Sequence, residues 1–390
     1  MTTPQPLFRI WIDPELPPYH EDEPIPYSAT VFHQMIDTPR IKTGYIDRTG
    51  RVVIPPSFEA AGCFSEGLAP AGVNDRYGYI STDGKWVIKP RLSTYSGFHE
   101  GLASAEEALD EAVERAIDQA ILKDLKAETD EAYEEAYKLV PHMGYIDTTG
   151  QYAIPPKYYL GEDFLDGCAI VCTRDPVRRC GTNFGMIDRR DNVVIPLSYG
   201  GIRPFSNGFA RVQPGLPAEL EQEPPYGPYG FIDRSNHMVI PYGRFENMES
   251  FSDGLAVVEN KGKAGAIDPT GAICIRAEFE SLRGFREGLS AARIDGMWGF
   301  IDKNGVYVIP PIYLEVESFS EGCAYVVDED EQRGFIDHSG KLIMPAQKIT
   351  PFERKTSFQN GLALISDDYS QGYIDKTGRH VWRGWNVPHS

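Results

Sequence analysis

Short apolar stretches alternate with polar turns along most of the chain, and the same pattern returns at regular intervals. Its clearest part is a four-residue phrase of Gly, a hydrophobic residue, Ile and Asp, with Ser for Asp in one copy. Nine copies begin at Gly44, Gly78, Gly144, Gly185, Gly230, Gly265, Gly299, Gly334 and Gly372. Self-similarity at a period of about 35 residues is the signature of a repeat architecture. We therefore predict a tandem array of one structural unit.

A second phrase, Phe-x-x-Gly followed by Leu, Cys or Phe and then by Ala or Ser, lies between copies of the first. Its eight copies begin at Phe64, Phe98, Phe164, Phe205, Phe251, Phe285, Phe319 and Phe358. The second phrase starts 20 residues after the first in six cases, 21 in one and 24 in the last, which indicates that both belong to one repeated unit. We expect an irregular aromatic connector at the Phe and a strand after the Gly.

A polar turn follows the first phrase, as in Asp47-Arg48-Thr49-Gly50. Asp at the first turn position caps the turn with its side chain, and Gly at the last position supplies a left-handed conformation. Two copies carry Asp191 and Asn236 in place of Gly, which are the residue types that best tolerate positive φ. Because the Asp recurs with the turn, we interpret it as structural and not as a metal ligand or a catalytic acid.

Each unit is predicted to contain three strands. The first phrase leads into the turn, Val52-Val53-Ile54 leads out of it until Pro55 ends the ladder, and a third strand follows the second phrase. The predicted fold class is therefore all-β: a tandem array of about eight to nine three-stranded antiparallel β-meander repeats. A superhelical stack and a propeller-like ring both remain open.

The repeat pattern predicts four segments. Residues 1–43 have no repeat phrase and are expected to form an N-terminal cap, and repeats occupy 44–105 and 142–390. Residues 106–141 are predicted to be an acidic helical insertion, because Leu109, Val113 and Ala116 share one helical face. From Glu106 to Lys138 this segment has 12 acidic and 4 basic residues.

The acidic insertion has two interpretations that do not exclude each other. Its acidic face is either only solvated or contacts a basic partner. The candidate partner-binding residues are Glu107, Glu111, Glu114, Asp118, Glu131 and Glu135.

Composition narrows the classes of function. The net charge of −19 argues against nucleic acid as a partner and favours a basic protein. We find no basic and apolar leader at the N-terminus and no apolar run long enough to cross a bilayer, so we expect a cytoplasmic location and no membrane partner. No phosphate-binding loop, nucleophile elbow or zinc-binding cysteine spacing is present, so we predict no catalytic residues, no cofactor, no metal and no enzymatic activity.

The stretch Met297-Trp298-Gly299-Phe300-Ile301-Asp302, together with Ser65-Glu66-Gly67-Leu68-Ala69, resembles the WG repeat family, also called KWG repeats. The resemblance covers roughly residues 44 to 382. The resemblance implies a bacterial interaction module, and members of this family often have no assigned chemical activity.

Three functions follow as hypotheses. The first is a protein-binding repeat scaffold, most specifically an immunity-type protein that neutralises a basic toxin. The second is a glycan or cell-envelope binder, for which 21 Tyr and 19 Phe are available as stacking surfaces. The third is a hydrolase with paired carboxylates. The identity of the partner and the oligomeric state stay open at this point.

Overall fold

The computed structural model describes residues 6–12, 42–110, 115, 142–174, 182–215, 228–344, 357–366 and 370–385. These residues form β-strands joined by turns, and every paired strand is antiparallel, which confirms the predicted all-β class. The contacts divide the chain into two compact units. The first unit comprises Met1–Cys63, Phe251–Asp268 and Ala272–Ser390, and the second comprises Phe64–Ser250 and Pro269–Gly271.

The strands group into nine three-stranded meanders, numbered here in chain order, and the middle strand of each carries the Gly-hydrophobic-Ile phrase. The first four meanders are Phe8–Ile12 (β1), Lys42–Ile46 (β2) and Val52–Phe58 (β3); Leu68–Val73 (β5), Arg76–Ser81 (β6) and Trp86–Leu92 (β7); Leu102–Ala105 (β8), Met143–Asp147 (β9) and Tyr152–Tyr158 (β10); Ala169–Arg174 (β12), Thr182–Ile187 (β13) and Val193–Ile202 (β14).

The fifth to ninth meanders follow the same order. They are Phe209–Pro214 (β15), Gly230–Asp233 (β16) and Met238–Ile240 (β17); Ala256–Asn260 (β19), Lys263–Ile267 (β20) and Ile273–Phe279 (β21); Ser290–Ile294 (β23), Met297–Ile301 (β24) and Tyr307–Val316 (β25); Ala324–Asp328 (β26), Arg333–Ile336 (β27) and Leu342–Met344 (β28); Leu362–Ser366 (β29), Ser370–Asp375 (β30) and His380–Trp385 (β31). Four two-residue strands complete the set: Ala60–Ala61 (β4), Leu160–Gly161 (β11), Asn247–Met248 (β18) and Ser281–Leu282 (β22).

The hydrophobic core lies between successive meanders. In the seventh meander, Phe300 packs with Phe319 of the eighth, whereas the adjacent Ile301 packs with Phe285 and with Phe279 of the sixth. Neighbouring residues on a strand point to opposite faces, so the middle strand is buried on both sides. This arrangement explains why the first phrase carries two consecutive apolar residues.

The Phe of the second phrase is a core residue that joins two repeats. In the second unit, the rings of Tyr79 and Phe98 are 4.7 Å apart in an edge-to-face contact. In the first unit, Phe300 and Phe319 repeat that contact at 4.8 Å. Such pairs contribute beyond the area that they bury, so the offset of 20 residues that recurs in six repeats reflects this contact.

The predicted Asp turn is confirmed. In the first meander Gly50 N–H donates to Asp47 O at 3.0 Å, and Gly50 has a φ of +87°. The Thr49 hydroxyl donates to Asp47 Oδ1 at 2.6 Å, and this bond contributes most to lowering the pKa of Asp47 to about 2. Asp191 and Asn236 have φ values of 67° and 62°. They therefore take the place of Gly as expected.

These turns make the stability depend on pH in a defined window. A depressed Asp pKa contributes stability above the unfolded value of about 3.9, and that contribution is lost as the pH falls toward the folded value. Hydrogen bonds likewise lower the pKa of Asp302 and Asp337. We expect the melting temperatures of the wild type and of D47N/D302N/D337N to converge between pH 4 and about pH 2, because protonation removes the same charges. A difference in melting temperature that persists at pH 2 would show that the charges of these turn aspartates are not the cause of the pH dependence.

The second phrase forms a tight hairpin, which corrects the irregular connector predicted from the sequence. Ser65 and Leu68 exchange backbone hydrogen bonds of 2.9 and 3.0 Å. Between them Glu66 and Gly67 have φ values of 51° and 84°, as a two-residue type I′ turn requires. The same left-handed position is occupied by an acidic residue or Asn in every copy: Glu66, Glu100, Asp166, Asn207, Asp253, Glu287, Glu321 and Asn360.

Five of these acidic side chains link one hairpin to the next, and we call this series the turn ladder. Each carboxylate accepts a hydrogen bond from the turn Gly N–H of the following repeat. The pairs are Glu66 with Gly101 at 2.8 Å, Glu100 with Gly167 at 3.0 Å, Asp253 with Gly288 at 2.8 Å, Glu287 with Gly322 at 3.0 Å and Glu321 with Gly361 at 2.9 Å. A charged acceptor strengthens such a bond, which offsets the strain of a non-glycine residue at positive φ.

The prediction that proline ends the strand leading out of the Asp turn is wrong in most meanders. β3 continues through Pro55 and Pro56 to Phe58, and its register against β2 shifts between Ile54 and Phe58. Prolines also lie inside β7, β10, β14 and β25, whereas β17 does end before Pro241. The missing N–H of proline is tolerated because the bulge leaves that position out of the ladder.

Part of the predicted N-terminal cap is a strand of the first meander. β1 pairs with β2 from Phe8 opposite Ile46 to Ile12 opposite Lys42. Within the first unit, β1 also packs on the ninth meander, where Tyr373 Oη donates to Arg9 O at 3.0 Å. The first and ninth meanders are therefore neighbours in this unit.

Candidate interaction surface

The acidic insertion is almost entirely outside the described residues. This holds for Glu111, Glu114, Asp118, Glu131 and Glu135, whose role in binding a partner stays a prediction. Of the six candidates, the structure describes Glu107.

Glu107 is extended, so its predicted place on the acidic face of a helix is wrong. It forms a β-bridge with Leu92, and Ala108 N–H donates to Arg91 O at 3.0 Å. The chain continues past β8 alongside the end of β7, because backbone groups there are available for pairing. The Glu107 carboxylate forms an ion pair with Arg91, whose guanidinium also donates to Gly150 O at 2.5 Å. Glu107 therefore already has a partner within the second unit.

A different surface is prominent in the first unit, on the ten-residue strand β25. Val306, directly before the strand, and three of its apolar side chains, Val308, Ile312 and Leu314, are exposed to solvent at 61%, 46%, 51% and 42%. We call them the β25 row. Ile309 and Tyr313 of the same strand are buried in the core against the eighth meander. The row is thus the outer side of a strand that the core holds in place.

Comparison with the other meanders shows that apolar residues at the positions of Val306 and Ile312 are uncommon. Counted from the turn residue, the position of Ile312 is occupied in the first six meanders by Ser57, Arg91, Lys157, Ser198, Gly243 and Glu278. The position of Val306 is occupied by Arg51, Lys85, Gln151, Asn192 and His237 in the first five meanders. The position of Leu314 varies, from Glu59, Ser93 and Glu280 to Tyr159 and Phe245, and the position of Val308 is apolar in most meanders. The repeat fold therefore does not require apolar residues at the positions of Val306 and Ile312.

The apolar residues at the positions of Val306 and Ile312 are a signal in the sequence, but they do not form a catalytic or metal-binding motif. This signal becomes visible when each repeat is aligned on its turn and the solvent-facing positions are compared.

Trp298, which precedes the phrase Gly in the seventh meander, belongs to a structural cluster. It lies opposite Tyr313 on β25, and the guanidinium carbons of Arg283 and Arg293 are 5.2 and 5.9 Å from its ring centroid. Arg283 also forms an ion pair with Glu317 at 2.9 Å. These contacts enclose the indole between charged side chains, so we do not assign it to the binding surface.

The described ranges contain no group of three or more His, Cys, Asp or Glu side chains arranged to hold a metal ion. They also contain no helix with the length and apolar character needed to cross a membrane.

The repeat pattern matches a known family. The family described as "WG containing repeat" matches residues 44–77, 77–107, 143–175, 184–213, 229–263, 265–298 and 298–330, which together span more than half of the chain. The chain belongs to the WG repeat family. The resemblance noted from the phrases of this WG repeat protein is thereby confirmed. A search of curated proteins found no match.

Several solved structures superpose on this WG repeat protein at low sequence identity. A crystal structure of a eukaryotic initiation factor superposes with a TM-score of 0.53 at 12% identity, covering 89% of this chain and 94% of that one. AztD from Citrobacter koseri gives 0.39 at 10% identity, covering 81% and 91%. BamB from Moraxella catarrhalis gives 0.36 at 12% identity, covering 56% and 70%. The first similarity concerns the fold alone.

Proposed function

We propose that this WG repeat protein is a non-catalytic scaffold that binds a protein partner through the β25 row. The observation that carries the proposal is the exposure of four apolar side chains in one row, two of which, Val306 and Ile312, occupy positions that are largely polar in the other repeats. Exposed apolar side chains grouped on one strand are typical of an interaction site. The recurring residues of the repeat form the core, the Asp turns and the turn ladder, and so have structural roles.

Burial of the aromatic residues favours a protein partner over a glycan. The rings that define the repeat lie in the core, including Tyr45, Tyr79, Phe98, Phe300 and Phe319. A glycan binder needs aromatic faces open to the sugar. The repeated aromatic residues do not provide them.

The partner is proposed to be basic, because opposite charge accelerates association with a chain of net charge −19. The narrower proposal is an immunity-type protein that neutralises a basic toxin. The acidic insertion is proposed as a second contact region.

The test is an affinity pull-down from the native organism with four baits. These are the intact chain, I312S/L314S, a deletion of 111–139 that retains the Glu107 bridge, and V193S as a matched control. Ile312→Ser introduces a residue that the repeat already has at Ser57 and Ser198, and Val193 is exposed by 57% on β14. We expect one stoichiometric protein that I312S/L314S loses and V193S keeps, with direct binding confirmed on the purified partner.

Loss of the partner only on deletion of 111–139 would overturn the assignment to β25 and favour the insertion. Absence of any protein partner from a folded intact bait would overturn the proposed function and favour a glycan ligand.

A further inference from the structure

An acidic hairpin lies beside the β25 row. Asp328-Glu329-Asp330-Glu331 connects β26 to β27, and Asp328 is paired across the sheet with Tyr313, which lies between Ile312 and Leu314 on β25. The end of the row at Ile312 and Leu314 therefore adjoins four consecutive acidic residues.

The hairpin presents its charge to solvent. Asp328 Oδ1 accepts hydrogen bonds from Asp330 N–H at 3.0 Å and Gln332 N–H at 2.8 Å, which fixes the turn. Glu329, Asp330 and Glu331 are exposed, and none of them forms an ion pair with a residue in the described part of the chain. Like charges held together without a counter-ion attract a basic group.

The corresponding hairpins of the second, sixth and seventh meanders are less acidic. The turn between β5 and β6 is Asn74-Asp75, that between β19 and β20 is Lys261-Gly262, and that between β23 and β24 is Asp295-Gly296. A hairpin with one acidic residue or none thus suffices for the fold. The four acids of the eighth meander coincide with the apolar row of the seventh.

We propose that the β25 row and the acidic hairpin together bind an extended segment of a partner protein, with alternating apolar residues followed by Lys or Arg. This inference rests on the proposed function and specifies the chemistry of the partner. Ile312 and Leu314 are two residues apart on a strand and so face the same side, which matches the spacing of alternate side chains in an extended peptide. The basic end of the segment meets the hairpin.

Recognition depends on side chains more than on main-chain pairing. Pro310 and Pro311 lie within β25 and have no N–H to donate to an added strand. β25 also lies between β24 and β26 in its sheet, and Tyr313 is paired with both Trp298 and Asp328, so the main chain beside Ile312 and Leu314 already has ladder partners. A partner is therefore selected by its apolar and basic residues.

The test uses a labelled octapeptide with Leu or Ile at positions one, three and five and Lys or Arg at the last three, measured by fluorescence anisotropy. Two control peptides replace the apolar residues with Ser or the basic residues with Gln. We expect I312S/L314S and E329Q/D330N/E331Q each to weaken binding by about tenfold, and V193S to leave it unchanged. The hairpin variant is also expected to reduce the dependence of binding on salt.

Equal binding to all four proteins would show general attraction to an acidic chain and overturn the inference. Sedimentation of the intact chain as a dimer and of I312S/L314S as a monomer would also overturn it, because a second copy would then cover the row. A third outcome is that the peptide does not bind while the pull-down partner still requires Ile312 and Leu314. In that case the inferred apolar and basic segment is wrong, and the proposed protein-binding function stands.

Discussion

Replacement of Ile301 by Asp is expected to lower the free energy of unfolding by more than about 4 kcal/mol. Ile301 has no solvent exposure and packs between the sixth and seventh meanders with Ile275, Phe279 and Phe285. The substitution removes those apolar contacts and places a carboxylate where no counter-charge is available. Because each repeat is stabilised by its neighbours, the damage extends to the meander on either side.

Urea denaturation followed by circular dichroism measures this effect, with two control variants. Ile301→Val removes one methylene and is expected to cost about 1 kcal/mol. Ile273→Asp introduces the same charge at a side chain that is 60% exposed on β21 and is expected to leave the midpoint nearly unchanged. An I301D protein with the wild-type midpoint would mean that the middle strand is not the core strand of the repeat.

The features that the sequence predicted well are those encoded locally. The Asp47 turn needs only its own side chain, Thr49 and Gly50, and the repetition of the pattern makes it evident. The apolar pair of each middle strand was also evident, because two consecutive apolar residues recur at every copy. Such features depend on residues within one turn of chain, so a single sequence suffices to predict them.

The features that were missed depend on residues far apart in the chain. Glu66 is an unusual residue for a left-handed turn, and its role becomes clear only when its carboxylate is seen to bind Gly101 of the next repeat. The passage of β3 through Pro55 depends on a register shift against β2. β1 has no repeat phrase, and its place in the first meander follows from pairing across 29 residues that the structure does not describe.

The candidate surface likewise has features that the local sequence predicts and features that depend on contacts between distant residues. Helical spacing placed Glu107 on an acidic face, but the β-bridge of Glu107 to Leu92 is a long-range contact that this pattern cannot predict. Val306 and Ile312 are visible in the sequence as exceptions to the repeat. Their exposure, and the position of the acidic hairpin beside them, required the strand pairing.

Replacement of Gly299 by Ala is expected to destabilise the protein by about 3 kcal/mol, although it adds a single methyl group. A Cβ at this position would lie 2.5 Å from Ile309 O and 2.7 Å from Pro310 C and Pro311 N. All three atoms belong to the backbone of the β25 bulge, which cannot move aside as a side chain would. Seven other phrase glycines share this close approach: Gly44, Gly78, Gly144, Gly185, Gly230, Gly265 and Gly372. The Gly of the phrase is therefore required by the backbone that bulges toward it, which contains proline opposite Gly299 but not opposite Gly265 or Gly372.

A second glycine of the same meander provides the matched control. Gly296 has a φ of +80° and no atom within 4 Å of an added Cβ, so Gly296→Ala tests backbone conformation without a collision. Its cost is expected to be about 1 kcal/mol, the penalty of a left-handed alanine. Urea midpoints for the two variants separate the causes: a larger loss for G299A indicates steric exclusion by the bulge. Equal losses would mean that the bulge shifts to admit the methyl group, and the recurrence of Gly in the phrase would then need another explanation.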